Sequence, residues 1–265
     1  MRHADETLRV YATADASLTV TLPLPGEELL AFTPDNDALV TITATNEIRF
    51  HAWRKKQLLR RLPLAAAAEP VKILELSPDA RWLAGGGAEQ GLWRWDTENG
   101  RRGEMAAAHV GHVSALHFSP DSRRLATGGA DGQVCVWDVA TGRLLWRTNA
   151  SPRLLWCVRF SPDGRRVAAA GRAGEVTLWH VDNGQPLVRL ADKRTGLEWL
   201  DWTPDGQRVV TSGAHFLRVW HLPTRRELLH LPSPAAYLQA VVSPDGGTLA
   251  VVEDAQVRVW CVGTR

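Results

Sequence analysis

The residue types that most often carry out chemistry are present in this chain, but their spacing matches no common catalytic or metal-binding motif. The nine histidines include no His-Glu-x-x-His, and Cys135, Cys157 and Cys261 include no Cys-x-x-Cys. Those two spacings bring zinc ligands together. No Gly-x-Ser-x-Gly is present that would expose a nucleophilic serine. We therefore predict no catalytic residue, no metal site and no cofactor, and we expect that the protein is not an enzyme.

Two further segments resemble ligand-binding sequences. Gly85–Gly91 is rich in glycine, but it lies between two predicted strands with no helix N-terminus to hold a phosphate, so it predicts a hairpin. Arg54–Lys56 and Arg60–Arg61 flank a predicted outer strand, and Arg101–Arg102 lie at the equivalent turn of the next unit. Such a basic strand could contact a nucleic-acid backbone. We favour the interpretation that these charges block pairing at an exposed strand edge.

The composition is that of a globular protein of near-neutral charge. The 265 residues are 45% hydrophobic and 23% charged, with a formal net charge of +2; they can fill a core and have no bulk attraction to nucleic acid or membrane. No run approaches ~18 consecutive apolar residues. The odd number of cysteines fits a reducing compartment. We therefore expect a cytoplasmic protein with no membrane partner. The ratio of 27 arginines to 4 lysines suggests a GC-rich bacterial source.

One pattern recurs along the whole chain. The tripeptide Ser/Thr-Pro-Asp occurs six times, and its prolines are 44, 42, 42, 42 and 40 residues apart. A ring-bearing residue follows each proline after 16 or 17 positions, and these residues are His51, Trp95, Trp137, Trp179, Trp220 and Trp260. Two independent marks at a constant offset indicate an internal repeat, which we number from the first (Pro34) to the sixth (Pro244).

Each repeat is predicted to contain four short strands. In the third repeat these are Val113–Phe118, Arg124–Thr127, Val134–Trp137 and Leu144–Trp146. They are separated by a Ser-Pro-Asp-Ser turn, an Asp-Gly hairpin and an Ala-Thr-Gly turn. Four strands in ~42 residues are typical of an antiparallel meander, which cannot bury both faces alone. The sequence therefore predicts an all-β fold of stacked four-stranded sheets.

The third repeat carries a resemblance to a known family. Its motifs are His109-Val110-Gly111, Phe118-Ser119-Pro120-Asp121, Leu125-Ala126-Thr127-Gly128-Gly129-Ala130-Asp131-Gly132 and Val136-Trp137-Asp138. They resemble the WD-repeat (WD40) β-propeller family, and the resemblance covers essentially the whole chain. It implies a WD40-type propeller of four-stranded antiparallel blades, six of which are countable. It says little about function, because one fold hosts many functions.

The resemblance also implies a buried hydrogen-bond network in the third repeat, formed by His109, Thr127, Asp131 and Trp137. A buried indole, imidazole and carboxylate each need a partner, and a closed chain of hydrogen bonds satisfies all of them. The other repeats depart from this set. The residues at the threonine and aspartate positions are Gly85 and Glu89 in the second repeat and Ala169 and Ala173 in the fourth; the fifth keeps Thr211, and the first has Thr41 but His51 in place of tryptophan. We expect these blades to depend on packing rather than on polar networks.

The chain opens and closes inside a repeat. Leu8–Tyr11 and Ser17–Leu22 align with the third and fourth strands of a repeat, and Val257–Trp260 aligns with a third strand near the other end. Pairing of Ser17–Leu22 with Val257–Trp260 would close a six-bladed ring and leave Leu8–Tyr11 surplus. Alternatively, the chain is part of a longer protein whose ring has seven or more blades. The corresponding division is an N-terminal partial blade or closing strand, 1–22, and a propeller, 23–265, in a single domain.

The family's narrow top surface is the surface most suited to a partner. By resemblance, the residues that face it are Glu28, Lys72, His112, Ser114, Leu154, Trp156, Arg172, Glu198, Leu238 and Glu253. Trp156 and Arg172 are the residue types most enriched at binding hot spots. A second interpretation, that Trp156 packs under a neighbouring loop, stays open. The mixed charge of the set suits a protein or peptide better than a polyanion.

These observations favour a non-catalytic scaffold or sensor module that binds a protein or peptide of unknown identity through the top face. Bacterial relatives often carry such propellers fused to kinase, NTPase or protease domains, so a fused effector is a further expectation from the resemblance. Two alternatives stay open: nucleic-acid binding through the basic outer strand, and a small-molecule or enzymatic site in the central channel. The channel site would need converging carboxylates or histidines, and we identify no repeated acidic set in the sequence.

Overall fold

The protein is described by a computed structural model that covers residues 7–11, 18–64, 71–87, 91–105, 109–191, 196–233, 238–243, 246–253 and 256–261. These residues contain 25 strands in seven antiparallel sheets. Five sheets have four strands each, and each of them is built from consecutive strands of one repeat. The prediction of an all-β propeller of four-stranded blades is confirmed.

The five complete blades have the following strands. Blade 1 consists of β3 (Glu27–Phe32), β4 (Leu39–Thr43), β5 (Glu47–Ala52) and β6 (Gln57–Pro63). Blade 2 consists of β7 (Val71–Leu76), β8 (Trp82–Gly87), β9 (Leu92–Asp96) and β10 (Arg102–Met105). Blade 3 consists of β11 (Val113–Phe118), β12 (Arg124–Gly129), β13 (Gln133–Asp138) and β14 (Leu144–Asn149). Blade 4 consists of β15 (Leu155–Phe160), β16 (Arg166–Gly171), β17 (Glu175–His180) and β18 (Pro186–Ala191). Blade 5 consists of β19 (Leu197–Trp202), β20 (Arg208–Gly213), β21 (Phe216–His221) and β22 (Arg226–Pro232).

Two smaller sheets contain the remaining strands. The first is a hairpin of β1 (Thr7–Tyr11) and β2 (Leu18–Pro23), and the second consists of β23 (Leu238–Val242), β24 (Thr248–Glu253) and β25 (Gln256–Cys261). The predicted pairing of Ser17–Leu22 with Val257–Trp260 is not found in the part of the chain that the structure describes. Instead, β2 pairs with β1, and β25 pairs with β24.

The strand that we expected to be surplus is therefore the partner of β2. A hairpin between neighbouring segments closes only a short loop, whereas pairing of the two ends of the chain closes a much longer one and costs more conformational entropy. The hairpin also has an apolar face of its own. Leu22 packs with Leu39 and Trp53 of blade 1, and Leu8 and Val10 border the same cluster. This burial places the hairpin next to blade 1.

The Ser/Thr-Pro-Asp turns have one geometry throughout. In blade 3 the Ser119 hydroxyl donates to Asp121 Oδ1 (2.5 Å) and accepts from the Arg124 amide (2.9 Å). The residue two after each proline has a positive φ, and these residues are Asn36, Ala80, Ser122, Gly164, Gly206 and Gly246. Only three of the six are glycines, so side-chain hydrogen bonds within the turn hold the left-handed conformation in the others.

The hydrophobic core lies between neighbouring blades. Trp137 of blade 3 packs with Leu92 and Met105 of blade 2, and Trp179 of blade 4 packs with Val136 of blade 3. Trp95 and Trp220 likewise pack with residues of the blade before them, blade 1 and blade 4 respectively. The innermost strands contact one another in chain order, as the stacking of meanders requires, in the series β3, β7, β11, β15, β19 and β23.

Candidate interaction surface

The four residues predicted to form a network in blade 3 lie in one chain of hydrogen bonds. The Trp137 indole donates to the Thr127 hydroxyl (3.1 Å), and His109 Nε2 lies 2.8 Å from the same hydroxyl oxygen. His109 Nδ1 lies 3.0 Å from Asp131 Oδ1. The amide of Val110 also donates to Asp131, at 2.8 Å. This arrangement ties the loop before β11 to β12, to β13 and to the turn between them.

The electrostatics of this chain favour a neutral imidazole. Burial lowers the pKa of His109, against the raising effect of Asp131. Burial acts to raise the pKa of Asp131, but hydrogen bonds from the amides of Val110 and Gln133 and from His109 bring it below the usual value. A neutral imidazole that donates from Nδ1 to Asp131 can accept at Nε2 from Thr127, so every polar group in the chain is satisfied.

Blade 1 departs from our expectation, because it has a polar network of its own. Thr41 donates to Glu27 Oε2 (2.5 Å), and His51 Nε2 lies 2.8 Å from the same oxygen. Arg49 donates to Glu27 Oε1 (2.6 Å) and to Glu47 (2.6 Å). Burial acts to raise the pKa of Glu27, but the hydrogen bonds from Thr41, Arg49 and His51 lower it. The prediction that this blade depends mainly on packing is wrong, because Glu27 supplies the acceptor that the repeat alignment did not place.

Blades 2 and 5 keep less of the network. In blade 5 the Trp220 indole donates to Thr211 (3.1 Å). In blade 2, where Gly85 replaces the threonine, the buried indole nitrogen of Trp95 has no hydrogen-bond partner among the described residues. Glu89 lies outside the residues that the structure describes. Blade 2 is therefore the blade that fits the expectation of stability from packing.

The predicted top-face residues coincide with a repeated irregularity of the innermost strands. The register of the innermost strand against its neighbour shifts by one residue in blades 2, 3, 4 and 5. The residues at these bulges are Lys72, Ser114, Trp156 and Glu198. A bulge leaves one residue unpaired and redirects its side chain. The sequence places these residues at one offset from the proline, and the bulges turn that offset into a common position on four blades.

Trp156 and Arg172 lie side by side at the boundary of blades 4 and 5. Trp156 is 36% exposed. The Arg172 amide donates to the carbonyl of Leu154 (3.0 Å), which brings Arg172 to the start of β15. A Cβ added to Gly196 would lie 3.2 Å from Cζ3 of Trp156 and 3.4 Å from Cα of Arg172. The indole therefore rests on the chain just before blade 5 and still presents part of its surface to solvent, so both interpretations of Trp156 describe part of its environment.

The remaining top-face residues occupy several environments. Lys72, Glu28 and Arg172 are exposed, whereas His112, Leu154 and Glu198 are half-buried. The Ser114 hydroxyl donates to the Leu155 carbonyl (2.5 Å), so it joins blades 3 and 4. Leu238 and Glu253 are opposite each other in β23 and β24, and their side chains lie outside the description. Trp156 and Arg172 are therefore the two exposed members of the set that lie next to each other.

The sequence analysis did not identify a second set of titratable residues. Glu75, His117, Arg159 and Asp201 lie on the innermost strands of blades 2 to 5 and are 42 residues apart. The Phe118 amide donates to Glu75 Oε1 (3.1 Å). Similarly, the Phe160 amide donates to His117 Nδ1 (3.0 Å), and the Trp202 amide donates to Asp201 Oδ1 (2.8 Å).

These side chains cover amide groups on the inner edges of β11, β15 and β19. An innermost strand has one neighbour in its blade, so its other edge needs partners from elsewhere. Burial raises the pKa of Glu75 to about 7, against the opposing effects of Arg159 and the Phe118 amide. Burial, followed by the charge of Arg159, lowers the pKa of His117. The position three residues before each repeat proline is the pattern that could have revealed this set.

The basic outer strand is partly committed to contacts within the chain. The Arg54 guanidinium lies 4.2 Å from the centre of the Trp53 ring and is 3.3 Å from Asp37, and that of Arg60 lies 4.2 Å from the centre of the Phe50 ring. Lys55 and Lys56 are exposed.

Within the described ranges no group of three or more histidine, cysteine, aspartate or glutamate side chains could hold a metal ion. Cys135 and Cys157 are buried and outside any disulfide, and burial raises the pKa of Cys135 to about 12.

The extent of one family match decides the classification. The family described as "Nucleolar protein 10-like, N-terminal domain", a β-propeller, matches residues 6–263. The chain belongs to this family. The match to the Nucleolar protein 10-like family runs from β1 to β25, so it includes the hairpin and the three-stranded sheet as well as the five blades. Among curated proteins, no match to the chain is found.

The Nucleolar protein 10-like propeller suggests a protein-interaction scaffold in general terms. None of the residues that the structure describes forms a helix long and apolar enough to cross a membrane.

Proposed function

We propose that the domain is a non-catalytic platform that binds a protein or peptide partner through the top-face residues around Trp156. The observation that carries this proposal is the pairing of a partly exposed tryptophan with an exposed arginine at a blade boundary. An indole supplies a large apolar contact area, and a guanidinium supplies directed hydrogen bonds, so the two types together dominate many protein interfaces. Glu198 of blade 5 and Lys72 of blade 2 give the predicted top-face set charges of both signs.

The rigid support of this surface favours binding over catalysis. Trp156 is held at a bulge, and Arg172 is held by a backbone hydrogen bond to Leu154. A rigid surface loses little conformational entropy when a partner binds. We propose a reducing, cytoplasmic setting, which the buried thiols of Cys135 and Cys157, neither of them in a disulfide, support.

Selection of binding peptides from a random library, followed by measurement of their dissociation constants, tests the proposal. Trp156→Ala and Arg172→Ala should each weaken binding by roughly 2 kcal/mol, as hot-spot truncations do. Leu145→Ala is the matched control, because Leu145 is 44% exposed on the outer strand β14. Neither Trp156→Ala nor Arg172→Ala should change the melting temperature much. Peptides that bind all variants equally would show that the partner surface lies elsewhere.

The nucleic-acid alternative predicts a different outcome. Lys55→Glu combined with Lys56→Glu should leave peptide binding intact if the top face is the working surface. Loss of binding in this variant alone, together with a steep dependence on salt, would favour the basic outer strand. The contacts of Arg54 and Arg60 with aromatic rings support the first outcome, because they give these cations a role inside the fold.

A further inference from the structure

The turns between the first and second strands carry arginine at one position in three consecutive blades. The position lies three residues after the turn proline, and its occupants in blades 2, 3 and 4 are Arg81, Arg123 and Arg165. All three are exposed. Blades 1 and 5 have Asp37 and Gln207 at the same position. We call Arg81, Arg123 and Arg165 the arginine row.

The backbone of each row residue is held at both of its polar groups. The Arg123 amide donates to Asp121 Oδ1 (3.1 Å), and the Arg123 carbonyl accepts from the Val139 amide (2.9 Å). The same two bonds hold Arg81, at 3.0 and 2.9 Å, and Arg165, at 3.0 and 3.0 Å. The row is therefore presented from a rigid base, and only the side chains need to be ordered by a ligand.

The three turns follow one another at one end of the propeller. The Asp79 amide in the turn of blade 2 donates to the Ser122 hydroxyl in the turn of blade 3 (3.0 Å). A Cβ added to Gly164 in the turn of blade 4 would lie 3.7 Å from Cδ of Pro120 in the turn of blade 3. The row is thus continuous across three blades. Trp156 is the second residue of β15 (Leu155–Phe160), and the turn that carries Arg165 follows the last residue of this strand. The four steps from Trp156 to Phe160 span about 14 Å at ~3.4 Å per residue, so the row lies at the opposite end of the blade from Trp156.

The row differs from the arginines that follow two of its members. Arg124 pairs with Asp182 (2.8 Å), and Arg166 donates to the Gly206 carbonyl (2.9 Å). In contrast, none of the three row guanidinium groups lies in an ion pair with a carboxylate of the described residues. The turn aspartates are occupied within the turn, as when Asp121 accepts from Ser119 (2.5 Å). The turns of blades 3 and 4 each contain one aspartate and two arginines, a net charge of +1 per turn.

We propose that the arginine row is a second docking surface, which binds an acidic peptide segment of a protein partner. Guanidinium groups bind carboxylates through two parallel hydrogen bonds.

A nucleic acid fits less well, because the net charge of the whole chain is only +2 and turn carboxylates lie between the row members. Base stacking also needs exposed aromatic rings. In the described part of the chain, the exposed phenylalanine and tryptophan side chains are Phe32 and Trp156, and neither lies in the turns that carry the row. This surface goes beyond the proposed function, because it does not involve the top face.

Fluorescence anisotropy with a labelled oligoglutamate peptide at low salt tests the proposal. The variant Arg81→Glu, Arg123→Glu, Arg165→Glu should weaken binding about tenfold or more, because three charge pairs are reversed. The matched control is Arg61→Glu, Arg147→Glu, Arg153→Glu, which changes the net charge equally and alters exposed residues outside both the row and the top-face set. The control variant and Trp156→Ala should bind the peptide as the wild type does.

Each other result overturns the proposal. Equal weakening in both triple variants would show an effect of net charge alone, and no binding by the wild type would remove the surface. Tighter binding of an oligothymidylate of the same length through the row would replace the peptide by a nucleic acid. If the glutamate variant fails to fold, the Arg→Gln triple variant removes the charge without adding carboxylates, and unchanged binding there would equally exclude the row.

Discussion

Blades 1 and 3 each have a buried threonine hydroxyl at the equivalent position, and its hydrogen-bond partners differ chemically between the two blades. In blade 3 the hydroxyl of Thr127 accepts from the Trp137 indole and meets a neutral imidazole. In blade 1 the hydroxyl of Thr41 donates to the Glu27 carboxylate and lies 3.2 Å from His51. Both blades have the threonine on the second strand and a ring-bearing residue on the third strand. The third residue of the network differs between them.

The difference shows that the topology fixes the position of the hydroxyl but leaves the source of its partner open. In blade 3 the partner His109 comes from the loop before the first strand. In blade 1 the partner Glu27 comes from the first strand itself. A buried carboxylate needs a compensating charge, and Arg49 supplies it at 2.6 Å. The blade 3 chain needs no arginine, because Asp131 is stabilised by backbone amides and the imidazole.

Removal of the carboxylate should have the largest effect on this comparison. Glu27→Ala leaves Arg49, His51 and Thr41 without their shared acceptor, so we expect a loss of about 3 kcal/mol in the free energy of unfolding. Urea denaturation measures it. The neighbouring Glu28→Ala is the control, because Glu28 is exposed, and it should have almost no effect. Equal stability of the two variants would mean that the blade 1 network contributes nothing.

A glycine pair in blade 3 should show the space that the imidazole requires. A Cβ on Gly129 would overlap the His109 ring and lie 2.7 Å from Asp131 Oδ1, whereas a Cβ on Gly128 would lie 3.2 Å from the nearest atom, in Leu155. Gly129→Ala should therefore cost roughly 2 kcal/mol, and Gly128→Ala should cost less. Thermal unfolding of both variants checks the order. Blade 1 has Thr43 at the corresponding position, which is consistent with a network that places no imidazole there.

The shared threonine should be worth more where it has two ring partners. Thr127→Val removes a buried hydroxyl and leaves Trp137 and His109 short of a partner, at a cost of about 1 to 3 kcal/mol. Thr211→Val in blade 5 removes one bond, to Trp220, and should cost less. Thr127→Ser retains the hydroxyl and serves as the control. A melting temperature unchanged by Thr127→Val would contradict the role assigned to the blade 3 chain.

The smallest effect should be a difference in pH dependence between the two blades. The pKa of His109 is lowered from 6.5 in the folded state, so the unfolded chain takes up the proton first, and stability falls as the pH drops through about 6.5. The pKa of Glu27 is lowered from 4.5, so the contribution of blade 1 is lost only at more acidic pH. Between pH 8 and 5.5 the free energy of unfolding of the wild type should therefore fall more than that of His109→Asn, and urea denaturation at a series of pH values measures the difference. If the stability of the two proteins depended on pH in the same way, the His109 imidazole would not be the source of the pH dependence.

The sequence revealed the repeat and the blades because they depend on local spacing, and the resemblance to the WD-repeat family supplied the four residues of the blade 3 network. The role of Glu27 was missed, since no other repeat has a carboxylate at the start of the first strand. Closure by Ser17–Leu22 stays a prediction. The pairing of β2 with β1 was not predicted; it follows from the nearness of β1 and from the apolar contacts with Leu39 and Trp53.

The sequence by itself determined where each strand begins, where the turns lie and which blade can form the complete polar chain, because these features depend on residues less than one repeat apart. Only the tertiary structure decided which residues from different repeats meet. Glu75 reaches the amide of Phe118, and the turns of blades 2 to 4 align Arg81, Arg123 and Arg165 on one end of the propeller. These contacts join positions about one repeat apart in sequence, and they form because stacked sheets bury their faces against each other. The spacing within a single repeat does not show which residues of neighbouring repeats come into contact.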